Sequence, residues 1–395
     1  MAEQSGQARG WPQVTAAQGG SWLQTTCRPV RSLLALALSV AAPIAAAADS
    51  PEHLVAVVAT TGSAHQPYGS EVAVGARAVA DRLNAEGGVL GGAVRLATWT
   101  EDCSRESAAR VADEVARLKP AVVIGHLCAG AALAAAPIYA KAGILFIAPG
   151  VRHPSLTKPE IAGGRVLRLA GRDDRFARDT VAFIRSRYAG KTIAVIADRT
   201  RQARALADGV VAAARLQNVA VALDVRIESG EKSYDKLAAD VKASSAGVVV
   251  MPAQPVELGV VTASLRRAGV EAPIVGSDIL AVPALAPIAE AEGRRLVVMM
   301  PWTGLESASR DGASPAHHDD GRTAVRRRAE AALELWADAA ARARSTEAIA
   351  IVAAARTNGI ATAVGPLRFD AAGDAMVPGY VASIWRDDRW QALTD

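Results

Sequence analysis

Apolar and polar positions along this chain follow two alternating periods. Leu54, Val55, Ala56, Val57, Val58 and Ala59 form an unbroken apolar run of strand length. Such a run suits a strand buried on both faces of a parallel sheet. Residues 60–69 then hold Gly, Ser, Pro and His and read as a loop. From Glu71 the period changes. Val72, Ala76, Val79, Ala80 and Leu83 fall on one helical face, and Gly87-Gly88 supplies a C-terminal stop. The spacing then predicts a strand over 94–99, a helix over 107–118, a strand over 121–125, a helix over 131–142 and a strand over 143–148. Strands separated by helices of about 10–15 residues are βαβ units, which build a parallel sheet covered by helices on both faces.

A second series follows. It predicts strands over 165–170, 191–197, 219–227, 247–251 and 273–275, with helices over 175–188, 202–217, 233–243 and 256–268. Two such series argue for two lobes rather than one large sheet. Residues 301–322, rich in Gly, Ala, Ser, Asp and Pro, carry the least pattern. A long helix over 323–344, a shorter one over 346–357 and a strand over 380–385 complete the chain, with no repeat of fixed period.

Composition narrows the class. The 395 residues are 51% hydrophobic and 21% charged, enough for two domains of ordinary size. The net charge is +4 and the basic residues are mostly scattered Arg, with Arg326, Arg327 and Arg328 the densest run. A nucleic-acid protein gathers such residues on one element with aromatics between them. Aromatics are 4% here, so the charges read as solvated helix faces and no nucleic-acid partner is expected.

The first residues bear on location. Arg28 and Arg31 precede an uncharged apolar run over 33–45, and Ala46-Ala47-Ala48 follows before Asp49. A basic stretch, a short apolar segment and an A-x-A site define a secretory signal. Cleavage after Ala48 would leave 49–395 and place the protein in the periplasm, with 1–48 as extension and signal peptide. An uncleaved anchor is the alternative, although the run is short for a membrane span of about 20 residues. Cys27 would leave with the signal. Cys103 and Cys128 remain, and an even count in an exported protein favours a disulfide over two buried thiols.

Four segments carry a resemblance. They are residues 122–128 (Val-Val-Ile-Gly-His-Leu-Cys, with Cys103 upstream), 84–92 (Asn-Ala-Glu-Gly-Gly-Val-Leu-Gly-Gly), 143–149 (Gly-Ile-Leu-Phe-Ile-Ala-Pro), and 365–370 (Gly-Pro-Leu-Arg-Phe-Asp) with Gly373-Asp374. The chain resembles the leucine/isoleucine/valine-binding proteins of the type I periplasmic binding family from about Leu54 to its end. The resemblance implies an α/β fold of two Rossmann-like lobes with parallel sheets joined by a three-strand hinge. Crossings are expected near Gly171, Met300 and Gly365, so that 49–170 with 301–364 form the first lobe and 171–300 with 365–395 the second. It also implies a small polar solute held between the lobes, an ABC permease and ATPase as partners, and no catalysis.

Candidate site residues follow from position at the carboxyl ends of strands, where open parallel sheets bind ligands. Tyr68, in the loop after the first strand, matches a pocket tyrosine of the resembling family; packing on its own lobe is the alternative. Ala129, Gly130 and Ala131 stand at a turn that usually presents hydroxyls to a carboxylate. Here only backbone N–H groups are available there. Gly150 and Arg152 follow the next strand, and Arg152 replaces the usual Thr. An Arg can grip a carboxylate bidentately, or stand exposed on the rim. In the second lobe Gln202 and Gln254 replace tyrosines, and Asp278 matches an acid that holds an α-ammonium, with helix capping as the alternative. These exchanges predict a more polar solute than leucine: an amino acid, amide or organic acid.

Other motifs carry less. His317-His318-Asp319-Asp320 has metal-type residues in a soft segment, and neither a metal nor a cofactor is expected. No G-x-S-x-G or phosphate-binding loop is present, which leaves an exported enzyme without sequence support. A sensor of the same fold, signalling to a membrane receptor or regulator, is the alternative to transport.

Overall fold

The apolar run at 54–59 is the middle of β1 (Glu52–Thr60), whose Val55, Ala56, Val57 and Val58 have no exposure. The computed structural model describes residues 51–61, 66–305 and 321–393. The expected extension and signal peptide over 1–48, and the segment His317-His318-Asp319-Asp320, lie outside the described residues. Among those described, no helix is long and apolar enough to cross a membrane.

After β1 come α1 (Gln66–Ala85), β2 (Ala93–Glu101), α2 (Arg105–Arg117), β3 (Val122–Gly125), α3 (Ala129–Lys141), β4 (Leu145–Ala148), the short α4 (Pro159–Ala162) and β5 (Val166–Arg168). The five strands pair in parallel in the order β2-β1-β3-β4-β5. The unbroken apolar run of β1 serves two cores at once. Val55 and Val57 pack with α1 on one face, while Ala56 and Val58 pack with α2 and α3 on the other. Each fully buried valine there contributes about 1.5–3 kcal/mol.

The second lobe holds α5 (Phe176–Arg187), β6 (Ile193–Asp198), α6 (Arg201–Leu216), β7 (Val221–Ile227), α7 (Asp235–Ser244), β8 (Val248–Val250), α8 (Pro255–Arg267), β9 (Ile274–Ser277), α9 (Ala286–Glu292) and β10 (Leu296–Pro301). The chain ends with α10 (Arg322–Ala343), α11 (Ala348–Thr357), β11 (Tyr380–Arg386) and β12 (Arg389–Ala392). The second sheet runs β12-β11-β10-β9-β8-β6-β7, parallel except for the antiparallel pairs that add β11 and β12. The α/β class and the two parallel-dominated lobes therefore stand as expected. Helices α10 and α11 pack on the first sheet: Trp336, Ile351 and Val352 share the core of Val55 and Val57.

Several local expectations need correction. Helix α1 opens at Gln66, so Tyr68 is helical rather than in a loop. β10 has no counterpart among the predicted strands, although Leu296, Val297, Val298 and Met299 are all buried between β9 and β11. The third crossing is not at Gly365. Leu367, Phe369 and Ala375 belong to the first lobe's core, and the chain returns to the second sheet only at Tyr380. Asp374 fixes this course by pairing with the buried Arg168 of β5. The triple-Arg run is not a solvated face either. Arg326 pairs with the buried Glu71, Arg327 donates to the Ala363 carbonyl, and the buried Arg328 donates to the Thr303 carbonyl.

Candidate functional site

Strands β1, β3 and β4 bring one set of predicted residues to the carboxyl edge of the first sheet. Tyr68 is half-buried in the first turn of α1 and packs against its own lobe's core. Ala129 and Gly130 open α3. Its N-cap is Cys128, which offers no side-chain cap, so the first N–H groups of the helix face the rim without one. Cys128 is bonded to Cys103 with Cα atoms 5.5 Å apart, as expected.

Beneath that disulfide lies a buried polar cluster that the sequence reading missed. The Glu101 carboxylate accepts from Thr60 Oγ1 at 2.7 Å and from the Cys103 N–H at 2.5 Å. His126 has no exposure, pairs through Nε2 with Tyr139 Oη at 3.0 Å, and holds Nδ1 3.9 Å from Glu101. Burial pushes the imidazole pKa down to about 3, so it is neutral at physiological pH. The same burial raises Tyr139 above its ordinary value. These groups face one another, not the rim, and fix the backbone from which α3 starts. The available sign was the Gly-His-Leu-Cys stretch itself, where His126 takes a positive φ of 50° that non-glycine residues rarely adopt.

Gly150 follows β4 in a bend, half-buried. Arg152, two residues on, is neither a free carboxylate fork nor an exposed rim residue. Its Nε donates to the Gly171 carbonyl at 3.0 Å and its Nη2 to the Gly379 carbonyl at 2.9 Å. The guanidinium lies 4.6 Å above the centre of the Tyr380 ring, a cation–π contact. The Tyr380 phenol also feels this guanidinium, through side-chain hydrogen bonding and through its charge.

The second sheet's carboxyl edge is organised by Asp198, buried at the end of β6. One carboxylate oxygen accepts the Thr200 N–H at 2.9 Å and the other the Gln254 N–H at 2.8 Å. It thereby sets the starts of both α6 and α8. Gln202 is exposed on the first turn of α6, and Gln254 caps α8 without using its side chain. Both line a small depression shared with Ser277 and Ile279. Ser277 Oγ is buried and has no hydrogen-bond partner among the described residues.

Asp278 follows β9, half-buried, and opens a short turn of 3₁₀ helix rather than capping a longer one. Burial raises its pKa above the ordinary carboxylate value, and the Arg152 charge partly offsets this. Tyr380, which sequence reasoning did not select, joins the two. Burial raises its phenol, and both Arg152 and Asp278 act on it. Arg152 and Asp278 are thus electrostatic neighbours that form no direct ion pair among the described residues. The structure gathers Arg152, Tyr380 and Asp278 into one group and Gln202, Gln254 and Ser277 into another, while Tyr68, Ala129, Gly130 and Gly150 lie on the first lobe's edge.

Comparison with known proteins extends over this whole framework. The sequence profile of a family described as periplasmic binding protein matches residues 54–388. An amino acid binding protein of Pseudomonas aeruginosa is 26% identical over 371 residues, covering 90% of this chain and 96% of its own. The Leu/Ile/Val-binding protein of Citrobacter freundii is 29% identical over 324 residues, covering 81% and 87%. Among solved structures, an ABC transporter substrate-binding protein of Desulfitobacterium hafniense in complex with Leu superposes with a TM-score of 0.60 at 21% identity. That match covers 87% of this chain and all of the neighbour.

Proposed function

This chain belongs to the periplasmic binding protein family, and from that premise we propose that it is the periplasmic receptor of an ABC importer for an amino acid or a close polar relative. It captures the solute between closing lobes, hands it to a permease and ATPase, and catalyses nothing. The family membership and the amino-acid-binding relatives support the class of solute.

One observation carries the choice within that class. Arg152 and Asp278 are close enough to influence each other yet form no direct ion pair among the described residues. A zwitterion between them would engage both, its carboxylate at the Arg152 guanidinium and its ammonium at Asp278. The N-terminus of α3, with Ala129 and Gly130, adds backbone donors for the same carboxylate. Gln202, Gln254 and Ser277 offer polar partners for a side chain, which favours an amide- or acid-bearing solute over an aliphatic one. Closure would remove water from these groups and strengthen each contact.

Thermal-shift screening of the chain against amino acids, amides and organic acids tests this. A solute at a hundred times its Kd stabilises by about 2.7 kcal/mol, enough for a clear rise in Tm. A polar amino acid should give the largest rise. Stabilisation by sugars or aromatic acids alone would overturn the solute class, and robust hydrolysis of esters or amides would overturn the non-catalytic reading.

A further inference from the structure

We infer that Arg152 is a positioning residue of the hinge, tying separate lobe crossings together and so setting how far the lobes swing. Three crossings join the lobes: between Ala170 and Phe176, after Pro301, and between Val377 and Tyr380. Arg152 donates to the first through the Gly171 carbonyl and to the third through the Gly379 carbonyl. The second joins at the same oxygen, because the Trp302 N–H also donates to the Gly379 carbonyl at 3.1 Å. The third is held from the second lobe too. Asp179 accepts from the N–H groups of Gly379 at 2.8 Å and Tyr380 at 3.1 Å.

The sequence permits this convergence. A Cβ at Gly171 would collide with the Pro378 carbonyl, and one at Gly379 with the Arg172 carbonyl, so both crossings need glycine to approach so closely. A planar guanidinium can reach two carbonyls from one side chain while its face rests on Tyr380. A lysine ammonium is a single point and offers no such plane. Arg152 therefore does more than attract an anion. Its tie to the hinge exists without solute, while the nearby Asp278 links it to the site proposed above. The inference rests on that reading only for its consequence in solute capture.

The test uses the ligand-free full chain. Hydrogen exchange is followed at the amides of Trp302, Gly379 and Tyr380, none of which bonds to Arg152. Spin labels at the exposed positions Lys141→Cys and Arg204→Cys, in a chain also carrying Cys27→Ser, report the distance between lobes. Arg152→Met should speed exchange at the three amides about tenfold and widen the distance distribution, while core amides of β3 and β9 keep wild-type protection. Arg152→Lys should resemble Arg152→Met, and Tyr380→Leu should give a smaller change in the same direction. A general loss of stability would instead move the core amides as well, which would overturn the inference. So would wild-type exchange and distances in Arg152→Met, or wild-type behaviour in Arg152→Lys alone, which would leave charge rather than the fork as the cause. Should Arg152→Met not fold, unchanged exchange in both Arg152→Lys and Tyr380→Leu would equally overturn it. A wild-type chain that binds no amino acid would sink the proposed function and leave these ligand-free results standing.

Discussion

The carboxyl edges of the two sheets use polar residues in opposite ways. At the first edge Thr60, Glu101, His126 and Tyr139 are turned inward and pair among themselves beneath the Cys103–Cys128 disulfide, with His126 Nδ1 left without a hydrogen bond among the described residues. Besides these, that edge carries the backbone donors at the start of α3 and, after β4, the hinge-bound Arg152. At the second edge Asp198 and Thr200 are used internally, while Gln202, Gln254 and Ser277 line a small depression and Asp278 stays half-buried near Arg152. One edge is a braced platform of donors and the other a set of exchangeable acceptors and amides. Specificity should accordingly live on the second edge and rigidity on the first.

That contrast can be broken at its strongest point by Asp278→Ala. Removing the one carboxylate of the second edge that Arg152 senses should cost an amine-bearing solute about 2–5 kcal/mol of affinity by calorimetry, with the fold intact. An unchanged Kd would remove Asp278 from the site. On the first edge, replacing both Cys103 and Cys128 by Ser should instead cost about 3–4 kcal/mol of stability in denaturant titration, since the bond closes a loop of 25 positions. A loss below about 1 kcal/mol would mean that the buried cluster holds the edge unaided.

His126 sharpens the same division through pH. Its pKa falls from 6.5 to about 3 on folding because the ring is fully buried. The unfolded chain therefore takes up a proton that the folded chain refuses. The stability owed to neutral His126 is complete above pH 6.5 and is lost as pH falls toward 3, by up to about 1.4 kcal/mol per pH unit. His126→Gln should reduce that slope relative to the wild type in unfolding measured from pH 7 to pH 4. An identical slope in both would mean that the imidazole charges within the folded protein.

Much of the architecture was legible because it depends on local pattern. Parallel strands buried on both faces are apolar along their length, and the run over 193–197, which leads to Asp198 at the strand end, is unmistakable for that reason. β10 was overlooked because it directly precedes the weakly patterned segment, and its partners β9 and β11 lie on either side of a long excursion through the other lobe. The site was legible only as positions at strand ends. Asp278, Gln202 and Gln254 could be placed there, but no periodicity reveals that Arg152 reaches a carbonyl 227 positions away or that Tyr380 lies beneath it. The crossing expected at Gly365 failed for the same reason. The Arg168–Asp374 pair that holds residues 367–375 in the first lobe is a contact of 206 positions.

The finest test concerns Ser277. Its hydroxyl is wholly buried at the end of β9 and makes no hydrogen bond among the described residues. An unsatisfied buried polar group costs about 1–3 kcal/mol, so Ser277→Ala should leave the solute-free protein as stable as the wild type or about 1 kcal/mol more stable. A site for a polar solute gives a reason to keep such a hydroxyl, because the solute can supply the missing partner once the lobes close. Affinity should then fall by about 1 kcal/mol in the same variant, the opposite sign to its effect on stability. Should stability rise while affinity stays put, the polar character of the second edge would not be directed at the solute, and the contrast between the two edges would be one of packing rather than of recognition.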